Sequence, residues 1–250
     1  MEISNNSKPK FWVSQAISLP SLIVYLTICL TLLISPLAFA QEGDTEEVIE
    51  SVTIIGSAED QKKLAGSGQI ISNADLLKAM DTDIQKILTA VPGVYMRTEE
   101  GYGLRPNISI RGTAIERSAK VAIMEDGVLV APSPYTSSSA YYFPTTGRIH
   151  SVEVLKGPAA VSQGPQTIGG AINLISTPIP NAPSGKFVQE LGENGMMRTH
   201  AYYGGTSGNF GGLVEVHEHE SDGFDSIANV GGDTGFDKSD LMVKARYENG

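Results

Sequence analysis

The stretch VEVLKGPAAVSQGPQTIGGAINLIS, from Val152 to Ser176, decides the fold class of this chain. It places four glycines and two prolines between two apolar runs. Glycines let a backbone pass close to a nucleotide phosphate, or close to another part of the same chain. A phosphate-binding loop needs Gly-x-Gly-x-x-Gly or Gly-x4-Gly-Lys-Ser/Thr spacing and a helix behind it. This stretch has neither, because its last two glycines open a strand-like apolar run, residues 169–176, and no helix follows the glycines. We therefore predict close strand packing rather than a nucleotide-binding enzyme.

The first 40 residues have the features of an export signal. Two lysines precede a mostly apolar run, residues 11–34, and Ala38 and Ala40 fit a small-x-small cleavage site. The apolar run is also long enough to be an uncleaved membrane anchor. We favour cleavage after Ala40, because acidic and polar residues follow directly. Cys29, the only cysteine, lies in this leader, so the exported part has no disulfide and no thiolate metal site.

Residues 41–59 are interpreted as a flexible N-terminal segment, because residues 41–50 are acidic and have no periodic apolar face. Within it lies SVTIIG, residues 51–56, a short run of β-prone side chains. It could be an ordinary first strand. It could also be a peptide that adds to the sheet edge of another protein, where main-chain hydrogen bonds supply most of the affinity. Composition alone favours the ordinary strand.

A pair of helices and then several strands are predicted next. Ser72 or Asn73 is expected to cap the first helix and Thr82 the second, which ends at Pro92-Gly93. The second helix has an amphipathic stripe that is expected to be core, formed by Ile84, Ile87, Leu88 and Val91. Strand patterns follow at residues 107–112 and 148–157, with a hairpin signal at Asp126-Gly127 between them. Together these elements predict a small α+β unit.

From residue 185 onward the sequence alternates between apolar and polar residues and has little helix signal. The run LMVKARYE shows the alternation well: Leu241, Val243, Ala245 and Tyr247 share one face, and polar or longer side chains share the other. A soluble sheet has this pattern. A transmembrane barrel strand has it too, with the apolar face towards lipid.

Charge and residue spacing argue against several functions. The formal net charge is −10 and no basic stripe is visible, so a nucleic-acid partner is not expected. On a strand, Glu215, His217 and His219 would point to one side and could ligate a metal. We favour a polar strand face, and His-Glu-x-x-His and Gly-x-Ser-x-Gly are both absent. The sequence therefore predicts no enzyme activity, no cofactor and no metal site.

Two basic residues end predicted strands, Arg111 in IRG and Lys156 in LKG. Each would be costly to bury alone, so each is expected to face solvent or to pair with a carboxylate. Pairing across an interface is expected if this unit sits inside a larger structure.

The ordered set of segments resembles the N-terminal part of the TonB-dependent outer-membrane receptors of Gram-negative bacteria. The segments are a signal peptide, SVTIIG, DIQKILTAVPGV, SIRG, MEDGV and the stretch quoted first. The resemblance covers about residues 51–180, and early barrel strands extend it to residue 250. APSPY together with GPQTIGGAINLISTPIP looks most like the ferric-citrate receptor branch.

The resemblance implies an α+β plug domain, a small mixed sheet with short helices, over residues 60–180. It implies the start of an antiparallel transmembrane β-barrel over residues 185–250. Such barrels have about 22 strands and a plugged lumen. Only 66 residues follow residue 184, enough for about four strands, so we expect an incomplete barrel. The alternative is a soluble, exported, plug-like ligand-binding module without transport activity.

The resemblance also implies a transport function and its partners. A ferric chelate, such as a siderophore or ferric citrate, or cobalamin would bind outside, and the inner-membrane protein TonB would then pair with the TonB box and pull on the plug. The implied box residues are Ser51, Val52, Thr53, Ile54, Ile55 and Gly56. Outer-membrane lipid is the further partner. This reading raises partner binding by residues 51–56 above the ordinary strand.

The implied ligand and plug–barrel contacts can be assigned to particular residues. The long loops, residues 97–106 and 131–147, place Tyr135 where the family has an apical aromatic, with Arg97, Arg105 and Arg117 flanking the other apical loops. Arginine suits an anionic chelate with carboxylates, although each could equally be an ordinary solvated charge. Arg111 and Lys156 match plug positions that pair with barrel glutamates. Lys156 departs from the family's arginine and cannot offer a bidentate fork.

Overall fold

The computed structural model describes residues 53–55, 58–64, 66–79, 83–99, 103–130, 142–224, 226–227 and 232–248. The expected leader and the loop that carries Tyr135 lie outside these residues. Three short α-helices are present in the described part: Ala58–Lys63 (α1), Asn73–Ala79 (α2) and Ile84–Thr89 (α3). Short 3-10 turns cover Glu116–Ser118, Thr146–Arg148 and Gly157–Gln163. Among the described residues, no helix has the length and apolar character needed to cross a membrane.

Local capping explains where two of the helices begin. The Ser72 hydroxyl accepts the N–H of Asp75 at 3.2 Å, and the Asp75 carboxylate accepts the N–H of Ser72 at 3.1 Å. This reciprocal pair starts α2, as the sequence predicted. Helix α3 is capped by Asp83, whose carboxylate accepts the N–H of Gln85 at 2.8 Å. The predicted cap, Thr82, lies outside the described residues, and the observed cap is one residue later. Helix α1 was not predicted.

The first sheet has five strands in the order β1-β6-β7-β4-β5. The bounds are Ser67–Ile71 (β1), Val121–Glu125 (β4), Val128–Leu129 (β5), Ile149–Lys156 (β6) and Gly170–Ser176 (β7). Only β4 and β7 pair in parallel. A separate hairpin joins Val94–Arg97 (β2) to Asn107–Ile110 (β3). The helices and the mixed sheet confirm the predicted α+β unit, including the hairpin at Asp126-Gly127.

The glycines of the opening stretch serve close backbone packing, as predicted. A Cβ on Gly169 would lie 2.9 Å from the carbonyl oxygen of Lys120. A Cβ on Gly170, which has φ +156°, would collide with the carbonyl oxygen of Leu155. Strand β7 begins at Gly170, and its residues are all buried. The stretch is therefore the centre of the sheet and not a phosphate-binding loop.

Two apolar clusters lie on the two sides of this sheet. The larger one packs helix α3 against the sheet and contains the predicted stripe Ile84, Ile87, Leu88 and Val91. The smaller one lies on the other side and includes Ile55 from the N-terminal segment. Its other buried members are Ala122, Met124, Leu155, Ala160 and Ala171.

The second sheet is antiparallel, with strand order β13-β10-β9-β8. Its strands are Ser184–Leu191 (β8), Met197–Ser207 (β9), Phe210–Ser221 (β10) and Phe236–Tyr247 (β13). A small pair, Ser226–Ile227 (β11) and Gly232–Asp233 (β12), precedes β13. Within the described residues this sheet is open, with β8 and β13 at its edges. It gives four long strands in the region where about four were predicted.

The two faces of the second sheet differ in character. One face is apolar and exposed; it carries Phe187, Leu191, Tyr203, Phe210, Val214, Val216, Leu241, Val243 and Tyr247. The alternation predicted for residues 241–247 is confirmed, because exposure alternates at every residue of β13. The other face is polar and contacts the part of the chain that contains the first sheet, as described below.

Candidate functional site

Residues 53–55 of the predicted partner-binding segment are docked on the first sheet. The N–H of Ile54 donates to Glu153 Oε2 at 2.7 Å, and the N–H of Ile55 donates to Glu153 Oε1 at 2.9 Å. The Ile55 side chain is 3% exposed. Ser51, Val52 and Gly56 lie outside the described residues. Partner binding by this segment stays a prediction, and its docked backbone is bent rather than paired in a strand.

Glu153 and Asn173 were missed as functional candidates by sequence reasoning. They face each other across β6 and β7, and Asn173 donates to Glu153 Oε2 at 3.0 Å. The side-chain amide oxygen of Asn173, Oδ1, in turn accepts the N–H of Gly127 at 2.9 Å. Both side chains are buried. An acidic residue inside the apolar run VEVL was the available signal, because a buried carboxylate requires donors around it.

Two of the predicted apical arginines meet around one carboxylate. Arg97, at the end of β2, lies 3.5 Å from Glu99 and 3.2 Å from Glu116, and Arg117 lies 2.6 Å from Glu99. The N–H of Glu116 and then the Arg97 guanidinium lower the pKa of the Glu116 carboxyl. Both arginine side chains remain more than 40% exposed. Both arginines are thus accessible to a ligand, although they already pair with Glu99 and Glu116.

The remaining predicted apical residues lie elsewhere. Arg105 is exposed, in the short connection that precedes β3. Tyr135 is outside the described residues. A cavity of about 370 Å³ lies between α2 and the strands β8 and β9, and its lining includes Leu76, Lys186 and His200. None of the predicted apical arginines lines it. The structure therefore brings Arg97 and Arg117 together around Glu99.

Arg111 and Lys156 lie close together, but in different environments. Arg111 is exposed, at a turn with φ +55°, which is one of the two predicted outcomes. Lys156 is buried and donates to the carbonyl oxygen of Pro92 at 3.0 Å, which was not expected. Burial and the positive charge of Arg111 lower the pKa of Lys156. Within the part of the chain that the structure describes, neither residue has an ion pair. Their pairing with barrel glutamates stays a prediction.

The observed ion pairs between the two sheets use other residues. Arg148, directly before β6, is 3% exposed and contacts Glu125 of β4 and, at 3.1 Å, Asp240 of β13. Burial acts to lower the pKa of Arg148, but the hydrogen bonds and charges of Glu125 and Asp240 outweigh it and raise this pKa. This buried cation joins three strands from two sheets. Sequence reasoning did not single it out, because its partners are distant along the chain.

A second connection runs through the tip of the β4–β5 hairpin. Lys244 of β13 lies 3.3 Å from the Asp126 carboxylate and donates to the carbonyl oxygen of Thr177 at 2.8 Å. Asp126 also accepts the N–H of Ser176 at 2.9 Å. The turn residue therefore fixes both the end of β7 and the neighbouring long strand.

The Glu-His face considered for VEVHEHE lies on β10, on the side that contacts the part of the chain containing the first sheet. Glu215 and His217 are buried, and His219 is partly buried on the same side of β10. Thr177 donates to Glu215 at 2.6 Å, and His200 contacts the same oxygen at 2.7 Å. No three His, Cys, Asp or Glu side chains in the described ranges group closely enough to hold a metal ion. Glu215 thus lies at the contact between β10 and the segment that follows β7.

Comparison with known families gives a domain match. Residues 60–171 match the family model "TonB-dependent Receptor Plug Domain". The iron-regulated outer membrane virulence protein of Vibrio cholerae serotype O1 is 31% identical over 159 residues, which are 61% of this chain and 24% of that protein. The vitamin B12 transporter BtuB of Photobacterium profundum is 25% identical over 231 residues, 85% of this chain and 37% of that protein. The chain thus spans about a quarter to a third of these relatives.

Solved structures share the fold. The ferric citrate transporter FecA in its unliganded form matches with a TM-score of 0.61 and 24% identity, over 77% of this chain and 30% of that one. The siderophore receptor PirA from Acinetobacter baumannii matches with a TM-score of 0.57 and 21% identity, over 77% and 31%. At these identities the matches show the arrangement of elements and leave the ligand open.

Proposed function

We propose that this chain has a role in transport, because residues 60–171 match the plug domain of the TonB-dependent receptors. In this role it is part of an outer-membrane receptor that takes up a scarce nutrient actively. The proposed organisation is a leader over residues 1–40, a segment over 41–59 with the TonB box at 51–56, the plug over 60–180 and the first barrel strands over 185–250. The named relatives and structures are receptors, transporters and an outer membrane protein, so we propose uptake rather than catalysis.

The observation that carries the proposal is the pairing of a plug with a two-faced sheet. The polar face holds the plug through Arg148–Asp240 and Lys244–Asp126. The opposite face presents nine large apolar side chains, interrupted by a few polar residues such as Glu218 and Ser239. An outer-membrane barrel strand places such a face against lipid. A soluble exported module would leave this whole patch in water, so we do not favour that alternative.

The proposed ligand is a ferric chelate. Arg97 and Arg117 provide exposed guanidinium groups that meet at Glu99, and Arg105 provides a further exposed one. Such groups bind carboxylates through charge-assisted hydrogen bonds. We retain Tyr135 as a proposed ligand contact. Cobalamin is a second candidate, because a vitamin B12 transporter aligns with 85% of this chain. We do not distinguish ferric citrate from other ferric chelates.

Growth tests separate these ligands. A strain without the gene is grown under iron limitation with single ferric chelates, and separately on limiting cobalamin, with a complemented strain beside it. We expect growth on at least one anionic ferric chelate to depend on the gene. Gene-dependent growth on cobalamin alone would assign the second ligand. Growth that is equal with and without the gene on every substrate would contradict the uptake role.

The proposed coupling partner is TonB, which would pair with residues 51–56 as an added strand. Ile54→Pro removes one main-chain donor that such pairing uses. We expect this change to abolish energised uptake and to leave ligand binding to whole cells intact. Ile54→Val keeps the N–H group and is the matched control, with uptake close to that of the unaltered protein. Undiminished uptake by the proline variant would refute the coupling role of this segment.

A further inference from the structure

We propose that Glu153 is a clasp that holds residues 53–55 on the plug and withholds their N–H groups from a partner strand. Its two carboxylate oxygens receive the N–H groups of two consecutive residues, Ile54 at 2.7 Å and Ile55 at 2.9 Å. Hydrogen bonds to an ionised acceptor are about twice as strong as neutral ones. Glu153 therefore binds the main chain of this segment directly.

The clasp is held rigidly by the sheet around it. Glu153 lies on β6, which pairs with β1 on one side and with β7 on the other. Asn173 donates to its carboxylate at 3.0 Å and is itself held by the N–H of Gly127. Glu153 is 2% exposed and Asn173 is fully buried. The orientation of the carboxylate is thus fixed by the plug and not by the segment that it holds.

An apolar contact completes the docking. Ile55 is 3% exposed and belongs to the cluster with Ala122, Met124 and Leu155. Release of the segment would uncover this cluster and would also remove two donors from a buried carboxylate. Both losses oppose release of the segment.

The docked state and a partner-bound state exclude each other. In a paired strand, successive N–H groups alternate between the two edges, so only every second one faces a given partner. Here two successive N–H groups converge on a single carboxylate, which an extended backbone does not allow. A partner strand would need one of these two donors and an extended segment. The hydrogen bonds from Ile54 and Ile55 to Glu153 must therefore break before the segment can pair with a partner strand.

The clasp can be tested without ligand or partner, and only its link to a partner strand rests on the proposed function. In the intact protein in isolated outer membranes, Thr53→Cys provides a maleimide target next to the clasp. Glu153→Gln keeps the side-chain size but turns an NH₂ group towards one of the two donors. We expect labelling to be at least about tenfold faster in this variant, because the segment opens more often. The matched control is Glu116→Gln, an exposed plug residue, with labelling unchanged.

The outcomes separate the clasp from the transport role. Equal labelling with and without Glu153→Gln would overturn the clasp, whether or not uptake is observed. Faster labelling without any TonB-dependent uptake would support the clasp and remove the transport role instead. Should Glu153→Gln fail to accumulate, hydrogen exchange of the Ile54 and Ile55 amides in the unaltered protein decides. We expect both to exchange at least about 100-fold more slowly than in a free peptide; exchange at the free-peptide rate would overturn the clasp.

Discussion

Replacing Arg148 with methionine removes the buried cation that joins the plug to the long strands. The Arg148 side chain is 3% exposed, and its partners Glu125 and Asp240 are 16% and 17% exposed. Methionine fills a similar length without donors, so two poorly hydrated carboxylates would face each other without a cation. Breaking a buried ion pair by removing one partner costs about 3–5 kcal/mol. We expect Arg148→Met to destabilise the plug by about this amount.

Thiol accessibility measures this loss in the intact protein. Ala171 is fully buried in β7, and Ala171→Cys places a small thiol there that reacts only when the plug opens. When opening is in rapid equilibrium, the labelling rate follows the opening constant. A loss of 3 kcal/mol corresponds to labelling that is more than about 100-fold faster, since each 1.4 kcal/mol is a factor of ten.

The control for this experiment is Arg97→Met in the same background. Arg97 also makes two carboxylate contacts, but its side chain is 46% exposed. Exposed pairs contribute about 0–1 kcal/mol, so labelling should change by less than about fivefold. Equal labelling rates for Arg148→Met and Arg97→Met would refute the reasoning that burial makes the Arg148 contacts strong.

Three further predictions follow from single residues. Folding lowers the pKa of Lys156, so between this lowered pKa and the ordinary lysine pKa of about 10.4 the unfolded chain binds more protons than the folded one. Burial of the charged Lys156 therefore destabilises the fold fully below the lowered pKa. This cost falls as the pH rises through that window. The stability of the unaltered plug relative to Lys156→Met should therefore improve from pH 7 to pH 10, and a difference independent of pH would contradict this. Arg105→Glu should weaken binding of a carboxylate-bearing ferric chelate by about 10- to 100-fold in calorimetry, with Lys62→Glu as the control, and unchanged affinity would remove Arg105 from the site. Leu241→Lys places a charge on the apolar face and should reduce assembly in the outer membrane, since a lysine at the bilayer midplane costs about 2–4 kcal/mol. The control is Met242→Lys, on the opposite face, which should assemble nearly normally. Equal assembly of the two variants would argue against a lipid-facing surface.

Short-range signals made much of the plug predictable from the sequence. The Ser72 cap, the stripe of helix α3 and the Asp126-Gly127 hairpin each depend on residues within one turn or one hairpin of each other. The alternation at residues 241–247 predicted the two faces of β13 for the same reason. These features follow from local geometry, which periodicity and turn chemistry report directly.

Long-range contacts were not predictable in the same way. Arg148 and Asp240 are 92 positions apart, and Ile55 and Glu153 are 98 apart, so no spacing rule joins them. The acidic Glu153 in VEVL looked like an ordinary polar strand position, but the docked segment covers it. Lys156 was expected to face solvent or meet a carboxylate and instead bonds to the Pro92 carbonyl, which only the folded sheet brings near.

The strand order β1-β6-β7-β4-β5 also determines when the plug can fold during synthesis. The first strand pairs with residues 152–156, and the parallel partner of β4 is β7, the last strand of the sheet to be made. Folding that depends on such distant pairings is slow. The three helices described above and five of the seven strands, β1 to β5, are therefore synthesised before β6 and β7. Until residue 176 has left the ribosome, β4 has no parallel partner and the five-stranded sheet cannot be completed.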